Sequence, residues 1–275
     1  MIVSPLRGNY RSSMLARRTQ PTIAGALLVL PLACACAAPD PQSYWGRHFD
    51  GPTWSGALSA QTQSTERLMP ALVLLGLSAG FAVVDRSSQI EAREGIFTGG
   101  SAAAGDAGAI GLGVLGAGFA VGALSAGDDG HAIEVLIESF AVVEGTSEIL
   151  KHITQRERPD RSSRDSFPSG HTAAAFTMAT FLARGVDDLG DGWYDKLGYL
   201  AYVPAVYVGI DRSEANRHWP SDVAFGAFLG LFLTNVVYDA HYGTAGHPGI
   251  FGLRGLSLEP EIVGEASGLA LVWRF

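Results

Sequence analysis

Apolar residues are concentrated in six stretches along the chain, and each stretch is long enough to form a helix. They are residues 68–84, 107–127, 132–150, 172–183, 197–210 and 223–238. The segments between them carry glycine, aspartate, serine and proline, and none of the stretches alternates apolar and polar residues as a half-buried strand does. The pattern therefore predicts an all-α fold, a bundle of about six helices within a domain over residues 67–240.

The tail, residues 241–275, has a different pattern, in which apolar residues alternate with smaller or polar ones. Residues 254–263 and 269–275 flank the segment 264–268, which begins and ends with glycine and is typical of a turn. The alternating apolar residues are Leu269, Leu271, Trp273 and Phe275. We predict a short C-terminal β-hairpin that packs on the helices, because a single hairpin is only marginally stable in water.

Residues 1–38 have the organisation of a secretory signal peptide. Four arginines and no acidic residue are followed by an uncharged segment, 21–38, with an apolar centre and the small-residue ending ACACAA. Cleavage in that ending leaves residues 39–66 as a polar and aromatic lead-in segment, and it predicts an exported protein of the periplasm or cell envelope. Two alternatives stay open: a permanent membrane anchor, and lipidation at Cys34 or Cys36.

Composition and charge narrow the class of protein. The 275 residues are 47% hydrophobic and 17% charged, which excludes intrinsic disorder. The formal net charge is −8, and loss of residues 1–38 removes four of the 19 basic residues and none of the 27 acidic ones, leaving −12. A nucleic-acid partner is not expected, because such a partner requires a basic face. The only two cysteines, Cys34 and Cys36, exclude a disulfide scaffold.

The length and polarity of the apolar stretches bear on whether the bundle is inserted in a membrane or soluble. A span needs about 20 consecutive apolar residues, and only the stretch 107–127 meets this clearly. Within it, Gly118 and Gly122 have the small-xxx-small spacing that lets helices approach closely. The third stretch carries acidic residues that are costly in lipid, namely Glu134, Glu138, Glu144 and Glu148. The sequence slightly favours a soluble or peripherally attached bundle, with an integral inner-membrane protein as the alternative.

Three short blocks of polar and charged residues lie at predicted helix ends. They read K-x6-R-P over residues 151–159, P-S-G-H over residues 168–171, and R-x5-H-x3-D over residues 212–222. In an up-down bundle with short connections, the connection after the third helix and the one after the fifth emerge at the same end. The three blocks are therefore predicted to converge on one site.

The residue types in the blocks suit an oxyanion with several oxygens, which means phosphate. Lys151, Arg158 and Arg212 supply three cations, with forked donation from arginine and a point charge from lysine. The start of the fourth predicted helix adds Ser169, the Gly170 amide and the positive end of a helix dipole.

Two histidines are available for chemistry. His218 and Asp222 are four residues apart, so they share a face if the last helix begins there. A carboxylate on one ring nitrogen would orient the imidazole and leave the other nitrogen free to attack. His171 can then serve as the general acid for the leaving oxygen.

The three blocks resemble the signature of the type-2 phosphatidic acid phosphatase superfamily, which includes lipid phosphatases, non-specific acid phosphatases and vanadium haloperoxidases. The resemblance covers roughly residues 130–240. It implies a six-helix fold and a metal-independent phosphatase with a covalent phosphohistidine. By this resemblance His218 is the nucleophile, Asp222 orients it and His171 donates the proton. The implied phosphate ligands are Lys151, Arg158, Ser169, Gly170 and Arg212. Asp211 departs from the pattern, since the family usually has serine before this arginine.

Several other residues are given no role in this site. Those predicted to lie on the solvated surface are His152 and Arg156. Those without a defensible metal-ligand spacing are His131, His241 and His247. No cofactor and no metal are expected.

The sequence thus predicts an exported phosphatase that acts on phosphate monoesters or lipid (pyro)phosphates. A vanadate-dependent haloperoxidase and a non-catalytic envelope protein on the same fold are the alternatives. The blocks do not distinguish a lipid from a soluble substrate, and they give no oligomeric state.

Overall fold

A computed structural model describes residues 51–94, 102–125, 130–188, 195–242, 256–263 and 266–273. The predicted signal peptide and both cysteines lie outside the described residues. Seven α-helices make up most of the described chain. They are α1 Gly51–Gln63, α2 Thr65–Glu94, α3 Ala102–Ser125, α4 His131–Thr154, α5 Gly170–Asp187, α6 Tyr202–Glu214 and α7 Pro220–Tyr242. The 3-10 helix Asp195–Ala201 precedes α6.

The described residues of all six predicted apolar stretches lie in helical structure, so the mostly helical character is confirmed. The additional helix is α1, which lies at the end of the predicted lead-in segment. Its buried positions are Ala57 and Gln61, one turn apart. A small residue and a polar one do not produce an apolar stripe, so the sequence pattern does not reveal this helix.

Two glycines of α7 allow close packing of α5 and α7. A Cβ atom on Gly226 would lie 2.5 Å from the carbonyl oxygen of Ser169, and one on Gly230 would overlap the backbone of α5. Their spacing of four residues is the small-xxx-small pattern. Gly118 and Gly122 have the same spacing, but no described atom lies within 4 Å of a Cβ built at either position.

A buried ionic network centred on Asp239 joins α1, α2, α5 and α7. The Asp239 carboxylate accepts hydrogen bonds from Arg67 at 2.5 Å, from Gln61 at 2.6 Å and from Arg184 at 2.7 Å. Arg184 also donates to the Asn235 side-chain oxygen at 2.8 Å. Because both arginines and the carboxylate are buried, each charge depends on its partners for stability.

Among the described residues, three helices are long and apolar enough to cross a membrane, namely Arg67–Ser87 in α2, Ala103–Ala123 in α3 and Pro220–Tyr242, which is α7. The apolar windows of α2 and α3 are only 17% and 22% buried within the protein. Large apolar side chains on their outer faces are exposed, including Leu72, Val73, Ile110, Val114 and Leu115. Apolar faces of this extent indicate contact with lipid and an integral membrane protein. The expectation that only residues 107–127 qualify is therefore wrong, and so is the preference for a soluble bundle.

The C-terminal residues contain two antiparallel strands, β1 Leu256–Val263 and β2 Ala266–Trp273. Their register pairs Leu256 with Trp273 and Val263 with Ala266. The second strand begins three residues earlier than the sequence pattern indicates. Packing of this hairpin on the helices stays a prediction.

Candidate active site

The three blocks meet at one end of the helices, as their positions at helix ends predict. The first block ends α4, the second opens α5, and the third spans the end of α6 and the start of α7. Backbone hydrogen bonds tie them together. Ser166 N–H donates to the Arg156 carbonyl at 3.0 Å, and Ser169 N–H donates to the Asp222 carbonyl at 3.1 Å. The segments that carry the blocks are therefore held in a fixed relation.

His218 lies in the connection between α6 and α7 and is only 3% exposed. Its Nδ1 lies 2.7 Å from the Ser166 carbonyl oxygen. Burial, and then the charges of Arg158 and Lys151, lower the pKa of His218 to about 3. The ring is therefore neutral near pH 7. Because a carbonyl oxygen only accepts, Nδ1 carries the proton, and the lone pair is on Nε2.

Asp222 does not contact His218, contrary to the predicted pairing. The α7 helix begins at Pro220, so His218 precedes it and the two residues do not share a helical face. The Asp222 carboxylate instead accepts from the Ser166 hydroxyl at 2.5 Å, from the Trp219 N–H at 3.0 Å and from Arg156 at 2.5 Å. Asp222 thus acts on the histidine through Ser166, whose carbonyl oxygen receives the ring N–H.

Arg156 belongs to the same cluster, so its predicted place on the solvated surface is wrong. Its guanidinium forms ion pairs with both Asp222 and Asp85 of α2. Ser221 donates to the Asp85 carboxylate from its hydroxyl at 2.7 Å and from its N–H at 3.2 Å. Arg156 therefore links α2, the end of α4 and the start of α7 behind the histidine.

Lys151 and Arg158 lie beside the start of α5. A Cβ atom built on Gly170 would lie 3.2 Å from the Lys151 Nζ, so the ammonium is next to this helix N-terminus. Lys151 is also held by Glu148 at 2.6 Å, and Arg158 by Asp165 at 2.9 Å. The positive charges of both residues lower the pKa of His171 and of His218.

Arg212 and His171 meet at a carboxylate of α3 that the sequence analysis missed. Asp106 Oδ1 lies 3.0 Å from Arg212 Nη1 and 3.1 Å from His171 Nε2. Asp211 accepts from Arg212 Nη2 at 2.8 Å. Burial, and then the charge of Arg212, lower the pKa of His171, while Asp106 opposes this shift. The Asp211 that replaces the family's usual serine is therefore a partner of Arg212.

Ser169 takes the N-cap position of α5 and is fully buried. Its hydroxyl forms a hydrogen bond of 2.9 Å with the Thr172 hydroxyl, and the preceding Phe167–Pro168 peptide bond is cis. The candidate site thus combines a neutral histidine, a second histidine, three cations and a helix N-terminus, which together can bind and attack a phosphate group.

This chain is similar to known proteins over part of its length. A family model described as the PAP2 superfamily matches residues 134–244. A lipid A 1-phosphatase from Porphyromonas gingivalis is 38% identical over 99 residues, which make up 36% of this chain and 21% of that protein. Phosphatidylglycerophosphatase B from Bacillus subtilis is 37% identical over 97 residues, or 32% of this chain and 47% of that protein. The matched segments span less than half the length of either relative.

A solved structure also matches, that of a transmembrane PAP2-type phosphatidylglycerolphosphate phosphatase from Bacillus subtilis. The identity is 23%, the alignment covers 78% of this chain and 94% of that one, and the TM-score is 0.38. The family match contains all three blocks, which begin at Lys151 and end at Asp222. Over residues 134–244, which make up less than half of this chain, the sequence is thus similar to the PAP2 superfamily.

Proposed function

We propose that this protein is a membrane phosphatase that hydrolyses phosphate esters of lipids through a phosphohistidine on His218. The observation that carries the proposal is the state of this ring: it is buried, neutral and fixed by the Ser166 carbonyl, with a lone pair on Nε2. A neutral imidazole fixed through one nitrogen is suited to nucleophilic attack through the other.

In the first step, His218 Nε2 attacks the phosphorus atom and the bond from phosphorus to the lipid oxygen breaks. Lys151, Arg158 and Arg212 stabilise the charge that develops on the phosphoryl oxygens, together with the N–H groups at the start of α5. His171, in its protonated form, donates its proton to the leaving oxygen. The products of this step are the free alcohol and a phosphorylated His218.

In the second step, water attacks the phosphorus and the bond from phosphorus to Nε2 breaks. His171 is now neutral and accepts a proton from the water, which restores its protonated form. Inorganic phosphate leaves, and His218 returns to its neutral state. The Asp222 carboxylate is a positioning group in this scheme, since it holds the Ser166 segment that fixes the nucleophile.

An apolar cavity beside the site supports a lipid substrate. It has a volume of about 490 Å³, lies between α2, α5, α6 and α7, and reaches Ser213 and Pro220 next to the site residues of the third block. Its other walls are almost entirely apolar, with Leu77, Phe81 and Val206 among them. A soluble ester has no hydrocarbon chain to bury in such a cavity, whereas a lipid would bury part of its hydrocarbon there.

The cavity gives a direct test of the substrate class. Leu77→Trp would fill part of the cavity, whereas Val83→Trp places the same residue on the same helix at a side chain that is 85% exposed. We expect Leu77→Trp to lower kcat/KM for phosphatidic acid in mixed micelles at least tenfold and to leave kcat/KM for p-nitrophenyl phosphate unchanged. The control variant should match the wild type with both substrates.

Two results would contradict the proposal. Equal losses with the lipid and the aryl ester would remove the cavity from substrate recognition. If the folded wild type releases no phosphate from any ester, a non-catalytic protein on this fold is favoured instead. If it instead oxidises bromide with peroxide after vanadate is added, a haloperoxidase is favoured.

A further inference from the structure

A second cluster of functional side chains lies at the end of the helices opposite to the candidate active site. His131 begins α4 and His241 lies in the last turn of α7. Twenty residues of α4 separate His131 from Lys151, which corresponds to about 30 Å along the helix. Glu134 is one turn after His131 and lies on the same helical face. The three side chains come together only because α4 and α7 pack against each other.

The distances in this cluster fit one metal ion. One ligand atom from each of His131, Glu134 and His241 lies within 4.8 Å of the other two. The Nε2 of His131 and the Nδ1 of His241 are 3.1 Å apart. Two nitrogens bound to one ion at 2.0–2.1 Å stand roughly 2.9–3.4 Å apart in octahedral or tetrahedral geometry, so this pair is already spaced as neighbouring ligands.

A neighbouring carboxylate prepares His241 as a ligand. The Nε2 of His241 lies 2.5 Å from the Glu138 carboxylate, and the His241 side chain is 1% exposed. A carboxylate that accepts the proton of one ring nitrogen leaves the lone pair on the other, which here is the Nδ1 that faces His131. Metal-binding histidines usually have this outer carboxylate, which orients the ring and raises its basicity.

We propose that His131, Glu134 and His241 bind one divalent metal ion of the first transition row, and that zinc is the ion that suits them. Zinc accepts both imidazole nitrogens and carboxylate oxygens, and three protein ligands leave a fourth position for water. The ion would join the start of α4 to the end of α7. It stands apart from the phosphate chemistry, so its effect is on the stability of the fold.

The test is metal binding by the full chain, purified in detergent through a tag without histidine. After EDTA treatment and dialysis, zinc content is measured by inductively coupled plasma mass spectrometry, and affinity by competition with a chromogenic chelator. We expect one zinc per chain, a thermal midpoint that rises when zinc is restored, and X-ray absorption that shows two imidazole nitrogens near 2.0 Å.

Variants separate the site from incidental binding. His131→Ala should lose the bound zinc and the zinc-dependent rise in thermal midpoint, and Glu138→Gln should weaken zinc affinity about 10- to 100-fold. His152→Ala, which removes an exposed histidine from the same helix, should bind as the wild type does. Failure of the wild type to bind zinc would show that the cluster is only a hydrogen-bonded histidine pair. Equal binding by His131→Ala would likewise overturn the proposal.

Discussion

Gly105 lies where α3 meets the ionic groups of the third block. A Cβ atom at this position would stand 2.5 Å from the Arg212 Nη2 and 2.9 Å from the Asp211 Cγ. Ordinary contact begins at 3.4 Å, so the new Cβ atom of Gly105→Ala would stand about 0.9 Å too close to the Arg212 Nη2. The Arg212 and Asp211 side chains are 5% and 1% exposed, so neither has solvent to turn into.

The start of α3 must therefore move away from the site by nearly 1 Å, together with Asp106, or else Arg212 must leave its position. A displacement of about 1 Å at a reacting group can lower turnover about 100-fold. This corresponds to about 2.7 kcal/mol in the activation barrier. We expect Gly105→Ala to lower kcat for an alkyl phosphate by this order.

Gly111→Ala is the matched control, since it makes the same change in the same helix with no described atom within 4 Å of the new Cβ. Its turnover should equal that of the wild type, with stability unchanged or raised by up to about 1 kcal/mol. Thermal unfolding separates a shifted site from a misfolded one. The double variant Gly105→Ala, Asp211→Ser removes the carboxylate that the Cβ meets and should recover part of the turnover. Equal kcat for the two alanine variants would refute the packing argument.

Three further predictions concern pH, stability and membrane orientation. For an alkyl phosphate, kcat/KM should fall below about pH 3, where His218 gains a proton. It should also fall as the pH rises through the lowered pKa of His171, because the proton donor is then lost. This second decrease should be absent in His171→Ala, apart from any part caused by ionisation of the substrate. Asp239→Ala should destabilise the protein by about 3–5 kcal/mol in chemical denaturation, because it removes the buried carboxylate that forms ion pairs with two buried arginines. Because α2 runs from the Asp239 network to the active-site end, cysteines placed at Gln63 and Ser162 should be labelled from opposite sides of the membrane.

Each of these three predictions has a clear contrary result. A pH profile that is the same in His171→Ala and the wild type would remove this residue from proton transfer, since the ionisation of the substrate is common to both. Denaturation of Asp239→Ala within 1 kcal/mol of the wild type would show that water satisfies the arginines. Labelling of both cysteines from the same side would show that α2 does not span the membrane.

The helices could be predicted well because apolar stretches of helical length remain recognisable whether lipid or protein covers them. For the same reason the sequence did not distinguish a soluble bundle from a membrane protein. That distinction depends on which faces are buried, and α2 and α3 bury less than a quarter of their apolar windows within the protein. The spacing of Gly118 and Gly122 likewise does not show whether the pair lies at an interface, because that depends on the packing partner, which α5 supplies only for Gly226 and Gly230 among the described residues.

The convergence of the three blocks could be predicted from helix order, but the partners of their side chains could not. Asp222 was paired with His218 on the assumption that α7 begins at the histidine, and a start two residues later moves the two apart. Asp85 and Asp106 are single carboxylates near the ends of apolar stretches and cannot be told from surface residues by spacing. A useful signal existed for Asp85, because an acid at the end of an apolar stretch needs a cation when it is buried.

Direct identification of the covalent intermediate tests the central claim. The enzyme is mixed with ³²P-labelled p-nitrophenyl phosphate, quenched within milliseconds without acid, and digested for peptide mapping, in the wild type and in His171→Ala. The account predicts acid-labile label on the peptide that contains His218, in greater amount in His171→Ala because water is no longer activated, and none in His218→Asn. Label on any other residue of the wild type, or turnover in His218→Asn comparable to the wild type, would contradict it.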